Sequence, residues 1–394
     1  MHQANIHLLY VMELLAGLPR GSYLVCIGWT GLVLSDSVAV VGQLFIVQSL
    51  TVLLLGSAVG LIVDRYPQKN LIIVARGLIA VSMAAAGFTL ILDFDPAVVF
   101  LYLVVSLVSG SRLLYQITFD SIIRSNVGNS EVTVTLGRAT AMHLFATGAG
   151  TIAAGLIIDQ YDSGVGFILS ALCTALVGVT AIGLKQGADK SPQQGATGFF
   201  RDLGEGLRIF RDNRQVQILA LLTMAAFPVG QLINAVLSSF IRDDLGLGSD
   251  VFGIVDSAWP IGGLLAAILV ARGFQWMHRR GMEFLLAGFA GLATIEISFG
   301  TDTLWLVTMH GLMGFSVWVA RIIANGRIIE LCTEANVGRV RVSIEVLFAL
   351  AAVVMCLTPT IVKLPASADY FFYWGILITA AASGLWLYQR RLNF

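Results

Sequence analysis

Charge is what this chain has least of. Asp, Glu, Lys and Arg make up 12% of its 394 residues, against 57% apolar residues and a mean hydropathy of +0.84. Soluble domains carry about 25% charged residues and about 45–50% apolar ones. A soluble fold of this length has no use for so much apolar surface, so the composition reads as a polytopic membrane protein. Cysteine is also scarce. Cys26, Cys173, Cys332 and Cys356 are scattered, form no CxxC pair and lie in or beside apolar runs, as small buried hydrophobes do. There is no HxxxH, HExxH or Cys/His cluster and no Gly-rich phosphate loop. No metal, no cofactor and no ATPase chemistry is therefore expected. No convergent nucleophile and base can be found either, so the chain is not expected to be an enzyme. The net charge is zero, which by itself says nothing about nucleic acid; no nucleic-acid partner is expected. The first residues, Met1 to His7, lack a basic n-region, and the apolar run after them is too long for the core of a signal peptide. That run is read as a retained helix.

What the chain has instead is long apolar runs. Twelve candidate spans lie at 8–33, 38–63, 71–92, 97–122, 135–159, 163–184, 215–241, 251–271, 281–300, 303–328, 340–362 and 370–388. A helix needs about 20 apolar residues to cross a bilayer. The longest non-apolar stretch, 185–214, divides the chain into six spans and six. The predicted fold is all-α: a six-helix bundle over 1–184, a linker over 185–214 and a second six-helix bundle over 215–394. Within the linker, Phe199, Leu203, Leu207 and Phe210 recur at helical spacing between charges. This reads as an amphipathic helix on the membrane surface, the alternative being a solvated connector.

Basic residues are distributed unevenly. With both termini cytoplasmic, eighteen Lys and Arg fall in inside loops, Arg76 and Arg327 among them, and two, Arg242 and Lys363, fall outside. The outside turns carry acids: Asp36, Asp93, Asp95, Asp159, Asp162, Asp243, Asp244, Asp302 and Asp369. This is the positive-inside pattern, and it predicts a multi-pass protein of the cell (inner) membrane with cytoplasmic termini. Arg20, Arg112, Arg138 and Arg321 remain inside spans.

The halves show a weak repeat. Leu18-Pro19-Arg20-Gly21 matches Phe227-Pro228-Val229-Gly230, and Gly56 to Arg65 lines up loosely with Gly263 to Arg272, where Asp64 becomes Ala271. Two parallel six-helix repeats are a transporter signature, with the substrate site near the midplane. The turn after span 2, Gly60-Leu-Ile-Val-Asp64-Arg65-Tyr-Pro67-Gln-Lys69, places a glycine and a charge cluster between two spans. Its glycine can let helices approach, Asp64 and Arg65 can pair, and its proline ends a helix.

That turn resembles the loop 2–3 signature of the major facilitator superfamily, Gly-x3-Asp-Arg/Lys-x-Gly-x-Arg/Lys-Arg/Lys. Pro67 stands in place of the second glycine and Asn70 in place of the last basic residue. Ile123-Arg-Ser-Asn-Val127 after span 4, with Gly148-Ala-Gly150 to Gly155 in span 5, is similar to the branch holding enterobactin and macrolide exporters. The resemblance implies alternating access by two rocking halves and a central cavity lined by spans 1, 4, 7 and 10. It implies gating roles for Gly60, Asp64, Arg65 and Lys69, with Asp64 engaging the start of span 11 and Arg65 pairing with an acid such as Asp120.

Charges within spans carry the functional expectations, since a charge at the membrane centre costs at least about 2.5–3.5 kcal/mol. Arg20, after Pro19, and Arg112 lie near the middle of spans 1 and 4. Two guanidinium forks there favour an anion; the alternative is internal pairing with Glu13 or Asp120. Gln116, Gln231, Asn234 and Trp318, with Trp259 nearby, are candidates for binding an organic ligand or for helix–helix hydrogen bonding. Glu13 is the first candidate for proton coupling, ahead of Asp120 and Glu345, with His143 and His310 able to titrate near neutral pH. Arg138 and Arg321 lie nearer the inner surface and suit gating or snorkelling. The expected activity is monomeric, proton-coupled export of an amphipathic or anionic organic molecule. The alternatives are an importer or facilitator of a small anionic metabolite and a sensor without flux.

Overall fold

The computed structural model describes residues 2–94, 97–127, 132–184, 204, 208, 213–272, 279–332 and 337–392. The amphipathic helix expected over 199–210 therefore lies outside the described residues, apart from 204 and 208. Helices form along every apolar run: α1 (His2–Ser35), α2 (Val38–Arg65), α3 (Gln68–Ile91), α4 (Ala97–Asn126), α5 (Val132–Gln160), α6 (Ser163–Ala181), α7 (Arg214–Ala226), α8 (Val229–Ser239), α9 (Ser249–Ala271), α10 (Met282–Ser298), α11 (Thr303–Leu331), α12 (Val337–Ile361) and α13 (Ser367–Arg391). Among the described residues, ten stretches are long and apolar enough to cross a membrane. Helix α10 has 17 residues and is short for that test, and α1 carries Glu13 and Arg20 in its apolar run.

The seventh span differs from the single helix predicted. It breaks at Phe227–Pro228 into α7 and α8, and α8 runs into a π turn at Phe240–Asp244. Pro228 has no N–H to donate, and its ring clashes with the carbonyl one turn back. Pro19, Pro260 and Pro359 stay within α1, α9 and α12, so the break belongs to this site rather than to proline in general.

The acids of the expected outside turns have a local structural reason. Asp162 Oδ1 accepts from Val165 N at 2.9 Å and caps α6, and Asp302 Oδ2 accepts from Trp305 N at 3.1 Å and caps α11. A carboxylate at a helix N-terminus satisfies a free donor and opposes the positive end of the dipole. Asp36 and Asp93 adopt left-handed φ of 48° and 53°, which Asp tolerates better than most residues.

The chain divides into two compact units. The first is Met1–Gln194 with Gly246–Ser257; the second is Gly195–Leu245 with Ala258–Phe394. In the first unit α1 packs most extensively on α5, and α3 on α6 and α4. In the second, α10 packs on α13 and α11. The third-with-sixth and third-with-fourth span contacts thus recur. Each third-with-sixth contact is a glycine pair: Gly87 faces the Gly164 carbonyl in one unit, and Gly291 faces the Gly375 carbonyl in the other. Without a hydrophobic force between helices in lipid, small residues that let backbones touch supply the packing.

The α1–α5 seam is the tightest of these. A Cβ on Gly17 would meet the His143 carbonyl, one on Gly21 the Thr147 carbonyl and one on Gly150 the Leu18 carbonyl. Ser22 Oγ adds a hydrogen bond to Gly150 O at 3.1 Å. By contrast, a Cβ on Gly60 meets nothing within 4 Å. The close helix approach expected at that glycine is found instead at Gly17, Gly21 and Gly150.

Candidate functional site

The first unit holds two groups of polar side chains, on α1, α3, α4, α5 and the first half of α9. Glu13 on α1 is buried, at 8% exposure. Its Oε1 accepts from Tyr115 OH at 2.6 Å, and its Oε2 lies 2.9 Å from His143 Nδ1 on α5. Arg76 is 5% exposed and stacks its guanidinium 3.5 Å from the centroid of the Tyr115 ring. The sequence pattern puts Arg76 in an inside loop. It lies instead well within α3, where its charge is balanced by the Glu13 carboxylate through Tyr115 and by the ring's π face.

Arg112 on α4 acts on both groups. It interacts electrostatically with Arg76 and with Tyr23. Arg20 on α1 lies with its guanidinium 5.8 Å from the Tyr23 ring centroid, in the fields of Arg112 and Asp256. Both arginines are half-buried, and Arg20 Nη1 and Arg112 Nε are buried without a hydrogen-bond partner among the described residues. Neither pairs with Glu13, whose oxygens are taken by Tyr115 and His143. Glu13 and Arg20, on one helix, therefore serve two neighbouring polar clusters.

Asp256 is the residue that sequence reasoning misses. It lies inside an apolar span, is 6% exposed and has Arg20 as its oppositely charged neighbour. An acid inside a span, eight residues into α9, was the signal that could have found it. Its position is set by a close seam. A Cβ on Gly253 would meet the Thr151 carbonyl, Ser249 Oγ donates to Gly155 O at 3.2 Å, and Phe252 stacks on Trp29 at 5.8 Å.

In the second unit Trp259 lies against Gly230 and Trp318 against Gly263, each where a Cβ would collide with the indole. The His310 ring is 6.0 Å from that of Trp259. Trp318 Nε1 and Gln231 Oε1 are buried without a hydrogen-bond partner among the described residues, whereas the Gln231 carbonyl accepts from Cys356 Sγ at 3.4 Å. Asn234 is half-buried on α8, three residues beyond Gln231.

The resemblance of the charged turn after α2 now has a counterpart across the whole chain. A family model described as Major Facilitator Superfamily matches residues 9–355. The chain belongs to the major facilitator superfamily. It is a multi-pass membrane transporter. Among solved structures, a point mutant of the nucleoside transporter NupG is similar at 12% identity, covering 96% of this chain and 98% of that one with a TM-score of 0.81. NupG itself gives 14% identity, the same coverage and a TM-score of 0.76. A bacterial homologue of the iron transporter ferroportin, in an inward-facing state, gives 14% identity, 98% and 97% coverage and a TM-score of 0.72. At such identities the likeness is one of fold. No curated protein matches the sequence.

The signature turn of this superfamily member is anchored within the first unit. Pro67 caps α3, Gln68 Nε2 donates to Ser121 Oγ at 2.7 Å on α4, and Lys69 Nζ donates to the Ile182 carbonyl after α6. Asp64 and Arg65 are exposed in the last turn of α2; Asp120 is half-buried on α4, and Gln116 and Arg138 are exposed on α4 and α5. In the second unit Arg321 Nη2 lies 3.5 Å from Glu345 Oε1 and stacks 4.9 Å from the Phe348 ring centroid. Glu345 is largely exposed, and exposed pairs contribute about 0–1 kcal/mol. Glu345→Gln is accordingly expected to leave thermal stability in detergent nearly unchanged; a large fall would show that the pair is a structural clasp.

The sequence pattern puts Arg327 in an inside loop as well. It lies within α11, and its Nη1 donates to Glu283 Oε1 while its Nη2 donates to Arg279 O at 2.8 Å. Glu283, at 0% exposure, does not figure among the expected functional residues.

Proposed function

We propose that this protein is a proton-linked secondary active transporter of an organic anion, amphipathic or siderophore-like, that works as a monomer by alternating access in the cell (inner) membrane with both termini cytoplasmic. The observation that carries this reading is the charge imbalance inside the first unit. Arg76 lies in the field of the Glu13 carboxylate and Arg20 in that of Asp256, while Arg112 faces Tyr23 and Arg76 and has no carboxylate among the groups acting on it. Arg76 and Glu13 are engaged through Tyr115, and Arg20 and Arg112 keep unpartnered buried nitrogens. Guanidinium groups so placed pair with carboxylate or phosphate. Within the second unit, Trp259, Trp318, Gln231 and Asn234 are indoles and amides, groups suited to contact with an organic solute. The Glu13–His143 pair is a group that can take up or release a proton as the halves rock, and Asp64, Arg65 and the Arg321–Glu345 pair serve as gates.

Efflux is the direction implied by the sequence resemblance to exporters. Uptake of a small anionic metabolite is the second reading, and Asp256 beside Arg20 favours it: a proton on Asp256 would promote binding of an anion at Arg20, so that the two move together.

The test is transport into proteoliposomes under pH gradients of each sign, without ATP, using a catecholate siderophore, citrate, a nucleoside and ferrous iron. An organic anion is expected to move. Arg20→Gln and Arg112→Gln should each slow it by about 10- to 100-fold, as loss of a hydrogen bond to a charged group worth about 1.5–3 kcal/mol requires. Movement of only the nucleoside or the iron, untouched by both substitutions, would overturn the anion reading.

A further inference from the structure

We propose that the second unit carries a docking surface for anionic phospholipid headgroups, a collar of five arginines around the end of α13. Three elements build it. Arg214 opens α7, Arg279 and Arg280 lie in the turn before α10, and Arg390 and Arg391 fall in the last turn of α13. All five are exposed. Two contacts bring these ends together. Arg214 Nη1 donates to Tyr388 OH on α13 at 3.1 Å. Gly281, next to Arg280, lies against Trp386, where a Cβ would come within 2.7 Å of the indole nitrogen.

The collar is held in place from beneath. The Arg390 guanidinium stacks 3.9 Å from the centroid of the Trp386 ring. Such stacking fixes the group and leaves the N–H donors of its edge available. Gly281 has a left-handed φ of 88°, which glycine adopts without steric cost. That φ and the missing Cβ together let the turn rest on Trp386. Arg327 Nη2 holds the same turn through the Arg279 carbonyl at 2.8 Å. That bond uses the main chain of Arg279 and not its guanidinium.

The charges are not balanced locally. Among the described residues none of the five arginines forms an ion pair with an acid. The one acid described within these three helix ends, Glu283, is fully buried and bonded to Arg327. The matching ends of the first unit are different. There the starts of α1 and α3 and the end of α6 bring one Lys or Arg among the described residues, Lys69, and it donates to the Ile182 carbonyl. A general excess of basic residues on one side of the membrane loads both units alike, so the collar is a feature of the second unit in its own right.

The surface beside the collar selects the partner. Leu285, Phe289 and Leu292 recur on one exposed face of α10, and Leu387 is exposed on α13. A phosphate head with acyl chains fits both parts. Guanidinium forks take the phosphate oxygens, the apolar face takes the chains, and basic clusters at the ends of membrane helices bind anionic headgroups in this way. A soluble polyanion would leave the apolar face unused.

The experiment uses the purified, delipidated full-length protein in detergent, with phosphatidylglycerol, phosphatidylcholine and glycerol phosphate as probes, read by native mass spectrometry and thermal shift. Phosphatidylglycerol is expected to bind and to raise the melting temperature, and the other two are not. Arg214→Gln, Arg280→Gln and Arg390→Gln should each weaken phosphatidylglycerol binding by about fivefold, the share of one basic group at a membrane surface. Arg124→Gln removes an exposed arginine from the last turn of α4 in the first unit and should leave that binding unchanged. Equal binding of phosphatidylcholine, or an equal loss in Arg124→Gln, would overturn the collar as a site. Glycerol phosphate that binds as tightly as phosphatidylglycerol would overturn the lipid in favour of a free phosphate.

Discussion

Arg327→Met is expected to destabilise the protein by about 3–5 kcal/mol, the range seen when one partner of a buried ion pair is removed. Glu283 is fully buried in the first turn of α10, and Arg327 is the cation bonded to it. Without the guanidinium the carboxylate keeps its burial and loses its compensation. The same substitution frees the Arg279 carbonyl in the turn before α10, so local loosening there should accompany the global loss. The partner test is Glu283→Leu with Arg327→Met. Replacing both members of a buried pair by apolar groups is often neutral or stabilising, and the double variant is expected to recover most of the loss. Thermal unfolding of the purified protein in detergent measures both. A single variant as stable as the native protein, or a double variant as weak as the single, would show that the pair does not hold α10 to α11.

The second large effect is expected at the α1–α5 seam. Gly21→Val and Gly150→Val each place new atoms on a backbone carbonyl of the facing helix. A backbone cannot rotate away as a side chain can, so the helices must separate. Overpacking of this kind typically costs about 1–3 kcal/mol, sometimes more. The functional loss should exceed the loss of stability, because α1 carries Glu13 and Arg20 while α5 carries His143. Widening the seam lengthens the 2.9 Å Glu13–His143 contact directly. Gly77→Ala is the control. A Cβ there meets nothing within 4 Å, and an alanine in a helix is favoured over glycine by about 1 kcal/mol. Transport and thermal stability measured side by side decide the matter. Seam variants that transport normally would mean that the close contact is dispensable.

The twelve spans are all helical where the apolar runs predict them, and that much is a property of local sequence. Apolar run length decides whether a segment can cross a bilayer, and main-chain hydrogen bonds leave the helix as the available form. The break at Pro228 was not legible, because Pro19, Pro260 and Pro359 are accommodated within helices and the same residue type gives opposite outcomes in different packing. The positive-inside count assigns Arg76 and Arg327 to inside loops because each lies close in sequence to a charged turn, although the apolar runs 71–92 and 303–328 contain them; Arg76 is buried on α3 and Arg327 is half-buried on α11.

Glu13, His143, Arg20 and Arg112 are each visible in the sequence as polar residues inside apolar runs. Which of them meet was decided by tertiary structure alone. Glu13 and Tyr115 are separated by 102 residues, and what joins them is how closely α1 approaches its neighbours, set by glycines whose effect depends on what lies opposite. Gly17, Gly21 and Gly60 look alike in sequence, yet the first two touch a backbone and the third meets open space. The sequence by itself determined that the chain crosses a membrane as helices in two halves and that charges inside those helices matter. Only the tertiary structure paired Glu13 with His143 and Tyr115 and Glu283 with Arg327, because a pairing requires two helix faces to meet and hydropathy along one chain records only how apolar each face is.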